Sequence, residues 1–477
     1  MGSGAEQGMS GRRDALRAAL GDVAMLTEPA AVEPYRRDRA LDPGAGVPLA
    51  VVLPETTAQV QAVMRWASEH GVPVTPRGAG TGLSGGATAI DGGIVLGTER
   101  MRAVRIDVDT RMAVVQPGLL NAEVKAAAAA AGLWYPPDPA SFEICSIGGN
   151  AATNAGGLCC VKYGVTADYV LGAEVVLADG RAVVLGGPRL KDVAGLSMLK
   201  LFVGSEGTLG VITELTLRLL PAPPPARTAV AWFDGTERAA AAVFAIASRI
   251  RPSMLEYMDR ISINAVEDVL HMGLRRDAAA LVVARSDDQH PGGAEIAVML
   301  RAFADHGATE AFEADPAAGE RFAQARRMAI PAVERLGPLL MEDVGVPLPL
   351  LADLVKGVEA IAAERGVAIA FIAHAGDGNT HPLIVHDPAD PDLTERARLA
   401  YGEVMDLAIR LGGTITGEHG VGRLKRPWLA GQIGDDLLGI SREVKRALDP
   451  GGILNPGVIF AAEVPDAPGE PAVPGAQ

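Results

Sequence analysis

Three glycine-rich segments in the first half of the chain constrain its fold more than any other feature. They read Arg77-Gly-Ala-Gly-Thr-Gly-Leu-Ser-Gly-Gly86, Ser146-Ile-Gly-Gly-Asn150 continuing through Thr153, Asn154 and Gly156-Gly157, and Gly204-Ser-Glu-Gly-Thr-Leu-Gly210. Glycine lets backbone amides approach an anion closely, and Arg77, Thr81 and Ser84 add donors, so the first run suits a diphosphate. It has neither the spacing of a Rossmann fingerprint nor the Gly-Lys-Ser/Thr ending of a triphosphate loop. A tight turn before the apolar residues 94–96 would explain that run alone. Three such segments together point to one extended, phosphate-bearing cofactor crossing a domain.

The rest of the pattern is α+β. At 477 residues the chain has room for two or three domains. Thr56 or Thr57 caps a helix whose Val60, Val63, Met64 and Ala67 share a face, and a strand ending in Val74 leads into the first glycine run. Apolar stretches 173–177 and 182–185 flank Asp179-Gly180 as a hairpin, and residues 211–219 alternate as a half-buried strand. The prolines 221, 223, 224 and 225 mark a domain boundary. Beyond them, strands at 281–284 and 368–373 alternate with helices near 294–304, 350–365, 393–411 and 435–448, which predicts a helix-covered sheet. The expected division is a flexible N-terminus (1–25), a first domain (26–222), a second (223–415), a helical segment returning to the first (416–460) and a disordered tail (461–477).

Composition narrows the partners. With 43 Lys+Arg against 58 Asp+Glu and a net charge of −15, nucleic acid and anionic lipid are excluded as main partners. Cys145 and the adjacent Cys159-Cys160 form neither a disulfide framework nor a Cys-x-x-Cys pair, so a reducing cytoplasm is expected. No signal peptide and no membrane-spanning apolar window are read from the chain.

Chemistry concentrates in the second half. His374-Ala-Gly-Asp-Gly-Asn-Thr-His381 follows an apolar strand, and a strand-loop-strand there can aim both imidazoles at one point, as a metal site needs. A surface loop with incidental histidines competes with that reading. Glu418-His419-Gly420 lies in a second glycine-rich loop; its carboxylate can complete a His/His/Glu set, and His419 can act as a base near neutral pH. His70, His271, His290, His306 and His386 read as surface or satisfied histidines, and Arg423, Lys425 and Arg426 as a solvated charge run.

These motifs resemble a family. Pro-x-x-Pro-Arg-Gly-Ala-Gly-Thr at 73–81, Pro-Pro-Asp-Pro at 136–139, Gly-Gly-Asn at 148–150 and Gly-Ser-Glu-Gly-Thr-Leu-Gly at 204–210 look like the FAD domain of the vanillyl-alcohol oxidase / p-cresol methylhydroxylase flavoproteins. Within it the chain resembles glycolate oxidase flavin subunits, D-lactate dehydrogenases and D-2-hydroxyglutarate dehydrogenases. The resemblance implies a two-part FAD-binding domain and an α+β substrate (cap) domain with an antiparallel sheet. It also implies FAD held by Arg77, Gly78, Ala79, Gly80, Thr81, Gly82 and Ser84 at the diphosphate. Pro137, Asp138, Ser141, Ser146, Gly148, Gly149, Asn150, Thr153, Gly156, Gly157, Glu206, Gly207, Gly210, Ile212 and Asn455 would lie along the rest. None of the eight histidines lies near the first loop, so the FAD is expected to be non-covalent.

By the same resemblance His374, His381 and Glu418 hold a divalent cation, Zn²⁺ or Mn²⁺, and His419 takes the hydroxyl proton as hydride passes to the flavin. Arg326, rather than its neighbour Arg327, grips the substrate carboxylate; a solvated helix pair is the competing reading. The substrate is then a small D-2-hydroxy acid, glycolate or D-lactate. Relatives acting on 2-hydroxyglutarate carry an Asn where this chain has Leu383 and a Lys near Met341, which weakens that alternative. Electrons must pass on to a quinone, a cytochrome, an electron-transfer flavoprotein or an iron–sulfur subunit. A homodimer or heteromeric complex, peripheral to the inner membrane through a partner, would serve that role. A metallohydrolase built on the His/His/Glu set is the alternative from another class, and it leaves the glycine-rich segments unexplained.

Overall fold

The computed structural model describes residues 2–40, 42–288 and 293–461. Among the described residues the first half holds two larger sheets and a short pair, Leu133–Trp134 with Leu220–Pro221. In one, Val74–Arg77 and Ala50–Leu53 run parallel on either side of Ile94–Gly97, and Ala24–Leu26 adds an antiparallel edge. In the other, five antiparallel strands stand in the order Val104–Asp107, Met112–Val115, Val211–Arg218, Val170–Val176, Ala182–Gly186. The last two form the hairpin expected around Asp179-Gly180. Thr56 caps the helix Thr57–His70 by accepting from the Gln59 amide, and Val60, Val63, Met64 and Ala67 are buried beneath it.

Two expectations change here. Val74 begins its strand instead of ending it, because pairing with Ile94–Gly97 extends it to Arg77 at the mouth of the glycine run. The N-terminal stretch is not a flexible start: Gly2–Leu20 is a helix, and Leu16 and Leu20, one turn apart, are buried in the cluster containing Val60, Val63 and Trp66. The expected tail falls outside the described residues beyond Ala461.

The second half is built on one antiparallel sheet. Its strand order is Glu310–Ala314, Arg227–Phe233, Ala280–Ser286, Met254–Asp259, Ile369–His374, Asn379–Val385, Leu339–Met341, with Val344–Gly345 also pairing with Asn379–Val385. Alternate residues feed two cores. Ala229, Ala231, Phe233, Leu255 and Tyr257 pack under helices Thr236–Ala247, Ala294–Asp305, Leu351–Arg365 and Pro391–Arg410. Val230, Trp232, Met254, Met258 and Ile372 pack on the opposite face under Arg260–Leu270 and Pro316–Arg327. Strands buried on both faces read as continuous apolar runs, which is why their sequence shows no alternation.

The chain then returns to the first half. The helix Asp435–Leu448 sets Val444 and Leu448 against the core of the five-stranded sheet. Ile453 and Leu454 enter the first sheet's core, and the Asn455 amide donates to the Val74 carbonyl.

Candidate active site

The site begins as one end of a sheet face. Ile372 and His374, Leu383 and His381, and Met258 and Glu256 point the same way from three adjacent strands. Tyr257 stands opposite Ala373 and Ile372 opposite His381. One step along the first register sets Glu256 beside His374, and the face passes from apolar core to an ionisable row.

The 412–422 loop lays Glu418 over that row. Glu418 Oε1 lies 3.2 Å from His374 Nε2, 3.2 Å from His381 Nε2 and 3.8 Å from His419 Nε2. The rings of His381 and His419 stack at 4.9 Å, 8° from parallel. The sequence therefore brings together the imidazoles it was expected to. Gly156 makes room for the carboxylate, since a Cβ there would come within 2.4 Å of Glu418 Oε2.

Buried Asp343 holds the loop in place. Its Oδ2 accepts from the backbone N–H of Gly417, Glu418 and His419 and from the Thr416 hydroxyl, with Lys425 Nζ 3.4 Å away. Glu206 clamps the next stretch by accepting from the amides of Val421 and Gly422, and Ser84 donates its hydroxyl to the His419 carbonyl. The first glycine loop and the Glu418–His419 loop are thus tied together directly.

The charges are strongly perturbed. Burial pushes His419 down to about 4, with His381 and Lys425 adding to the effect and Asp343 and Glu418 opposing it, so its ring is neutral at pH 7. Burial pulls His374 the same way, but the carboxylates of Glu256 and Glu418 outweigh it and hold His374 well above the usual histidine range. Against its own burial, Glu418 is held well below the usual carboxylate range by His374 and His381.

These residues help line a cavity of about 370 Å³, within the range of small-molecule sites. Its walls include Arg77, Gly78, Ala79, Gly80, Thr81, Gly82 and Ser84, then Ser141, Ser146, Gly148, Gly149, Asn150 and Thr153, then Glu206, Gly207, Gly210 and Ile212, and finally Arg326, His374, His381, Glu418 and His419. The two halves of the chain face each other across it. At Gly80, φ is +75° and a Cβ would meet Arg77 Nη2 at 2.1 Å; at Gly78 a Cβ would meet Ser146 Oγ at 2.2 Å. Among the described residues, the amides of Gly80, Thr81, Gly82 and Ser84 have no protein partner. A row of free amides on a glycine-rich wall fits a diphosphate.

Five expected cofactor contacts lie off this wall. Asp138 turns away because its carboxylate accepts from Arg327 Nη2 and the Cys159 amide. The Pro137 carbonyl accepts from the Asn121 side chain. Gly157 packs on the Asp138 backbone, and Gly156 serves Glu418. Asn455 latches the chain return by donating to the carbonyls of Gly86 and Glu206.

The charge run is not solvated either. Lys425 is fully buried against Asp343, Arg423 pairs with Asp42, and Arg426 donates to the Gly457 carbonyl. His70 and His306 are satisfied at backbone carbonyls, His386 lies near Thr394, and His290 falls outside the described residues.

For a metal, two groupings overlap. Asp343, His381, Glu418 and His419 offer ligand atoms within 4.8 Å of one another. The expected set of His374, His381 and Glu418 shares two of these, with both imidazole nitrogens 3.2 Å from the carboxylate oxygen. Ligands of a tetrahedral ion at about 2.1 Å stand roughly 3.4 Å apart, close to both of these separations. Three backbone amides occupy Asp343 Oδ2, while its Oδ1 has no hydrogen-bond partner among the described residues and lies 3.7 Å from His381 Nδ1.

Comparison with known proteins agrees with this architecture. An FAD binding domain matches residues 48–186, and the C-terminal domain of FAD linked oxidases matches residues 222–459. The glycolate oxidase subunit GlcD of Bacillus subtilis is 40% identical over 422 residues, covering 87% of this chain and 90% of that protein. This chain belongs to the FAD-linked oxidase family. The FAD-linked oxidoreductase is also 42% identical to GlcD of Escherichia coli K12, over 86% of its length and 83% of the relative's. A D-lactate dehydrogenase of Archaeoglobus fulgidus is 35% identical, over 89% of this chain and 95% of the relative. Among solved structures, p-cresol methylhydroxylase with substrate bound superposes with a TM-score of 0.78 at 19% identity, over 94% of this chain and 96% of that one. That likeness shows a shared fold, the FAD-binding domain and antiparallel cap sheet expected from the motifs. No helix among the described residues is long and apolar enough to cross a membrane.

Proposed function

We propose that this FAD-linked oxidoreductase oxidises a small D-2-hydroxy acid of the glycolate or D-lactate type to the 2-oxo acid. The observation that carries the reading is the convergence of His374, His381, Glu418 and His419 in the same cavity as the glycine-rich wall. In this reading residues 26–222, with the 416–460 return, hold the cofactor, and residues 223–415 cap it.

Arg326 binds the substrate carboxylate: it is buried on the cavity wall, and its Nη2 has no hydrogen-bond partner. His419, neutral at pH 7, accepts the 2-hydroxyl proton on a ring nitrogen. Ser84 and Asp343 fix its backbone on both sides, so the imidazole meets the hydroxyl without reorganisation. Glycine-rich walls and the cap exclude water around the reacting carbon. Bound FAD supplies a two-electron acceptor for the C2 hydride. A divalent cation on His374, His381 and Glu418 supplies a fixed positive charge that favours the developing alkoxide.

Substrate size follows from two strands. Met341 pairs directly with Leu383 in the sheet, and both belong to the apolar core. Neither supplies the polar side chain that relatives acting on 2-hydroxyglutarate are expected to carry at these positions, which supports a monocarboxylate. The GlcD relatives are named as subunits, which supports a partner that takes the electrons, whether quinone, cytochrome, electron-transfer flavoprotein or iron–sulfur subunit.

Steady-state turnover with an artificial acceptor tests the substrate class. The expected result is a kcat/KM for glycolate or D-lactate at least about tenfold above that for L-lactate and D-2-hydroxyglutarate. A clear preference for D-2-hydroxyglutarate would remove the argument from Met341 and Leu383.

A further inference from the structure

Glu256 has no place among the proposed ligands, base or substrate clamp, yet it is the residue on which two of them meet. Its strand reads Met254-Leu-Glu-Tyr-Met-Asp259, and Glu256 sits between Met254 and Met258 on the apolar face, 1% exposed. A carboxylate in such surroundings persists only where partners replace water. Glu256 has two. Its Oε1 and Oε2 lie 2.9 and 3.0 Å from His374 Nδ1, and Oε2 lies 2.8 Å from Arg326 Nε.

Each contact fixes the far side of its partner. A carboxylate can only accept, so the hydrogen of His374 stays on Nδ1. Glu418 at Nε2 also only accepts, so without a cation Nε2 carries a hydrogen too; a cation seated there would displace it, and Nε2 would then supply the lone pair. Carboxylate–histidine pairs of this kind hold metal-ligating imidazoles in one tautomer and one orientation. On the other side, the 2.8 Å ion pair holds the buried guanidinium by charge, without an aligned hydrogen bond at Nε, and Arg326, its Nη2 also unpartnered, lines the cavity.

We propose that Glu256 is a positioning residue shared by the metal and substrate arms of the site, setting the cation-facing nitrogen of His374 and the orientation of Arg326 together. The inference rests on the metal-assisted hydroxy-acid reading and deepens it: cation affinity and hydroxy-acid affinity are coupled through one buried carboxylate. FAD binding on the glycine-rich wall does not use Glu256. In Glu256→Gln the side chain keeps its shape but offers an amide. That amide can donate to Nδ1, which moves the ring hydrogen to Nε2 and spoils the ligand, and it leaves Arg326 without its counter-charge.

The test uses the FAD-loaded protein in three forms, wild type, Glu256→Gln and Glu256→Asp. Flavin content is read from the visible spectrum, Zn²⁺ and Mn²⁺ affinity from equilibrium competition with a chelator, and KM from turnover with glycolate and D-lactate. The expected Glu256→Gln protein keeps one flavin per chain, binds the cation about 10–100-fold more weakly and shows a raised KM. Glu256→Asp, which keeps the charge, recovers part of both losses. Wild-type cation affinity and an unchanged KM in Glu256→Gln would overturn the inference alone. Loss of flavin in parallel with the cation would also overturn it, by marking Glu256 as a general fold residue. A wild-type protein that binds no divalent cation would overturn the metal reading itself, and this inference with it. Where Glu256→Gln does not accumulate, Glu256→Asp carries the same comparison: unaltered cation affinity and KM there overturn the proposal.

Discussion

Replacing His419 with alanine slows reduction of the flavin by substrate by roughly 10²–10⁴-fold, the usual contribution of a positioned base, while the protein stays yellow. The backbone supports this separation. The His419 amide is held by Asp343 and its carbonyl by the Ser84 hydroxyl, so the loop keeps its course when the imidazole is removed. Burial already holds the ring neutral and ready for the proton. Rapid mixing under anaerobic conditions, with flavin absorbance as the signal, reads the rate of this one step. A wild-type rate in His419→Ala would take His419 out of the chemistry.

Exhaustive chelation has a comparable effect. Turnover falls on the order of 10²–10³-fold, the range seen when one fixed charge-stabilising group is lost, and Zn²⁺ or Mn²⁺ restores it. Glu418→Ala gives the same loss without rescue by either cation, because both imidazole nitrogens then face an absent carboxylate. Flavin content changes in neither case, since the row of free amides that fits the diphosphate belongs to the glycine-rich wall and not to the histidines or Glu418. Turnover indifferent to complete chelation would mean that the two histidines and Glu418 serve as a hydrogen-bonded cluster and not as a metal site.

Local chemistry explains what could be read before any coordinates. Glycine-rich loops, the His374–His381 hairpin and Asp179-Gly180 each state their geometry within about ten residues. Their partners do not. Glu256 is joined to His374 across 118 positions and Asp343 to His419 across 76, distances that only the pairing of strands closes. Glu256 did leave a signal, a lone carboxylate at an inward position of an apolar strand, which a buried-charge argument could have caught.

Lys425 misled for the opposite reason. It sits in a run that looks solvated, Arg423-Leu-Lys425-Arg426, but the loop turns it inward to Asp343. Of Pro-Pro-Asp-Pro at 136–139, only Pro139 reaches the cavity, and Asp138 faces Arg327. The N-terminal helix escaped notice because its buried stripe is short: Leu16 and Leu20 supply its contribution to the first core.

The central claim is that this flavoprotein takes a hydride from a small D-2-hydroxy acid. Anaerobic mixing of the purified, FAD-loaded protein with glycolate, D-lactate and L-lactate, while the visible flavin band is followed, tests it without any assumption about the electron acceptor. The account predicts stoichiometric bleaching by glycolate or D-lactate and little or none by L-lactate. A yellow protein that none of these acids bleaches would keep the fold and contradict the function.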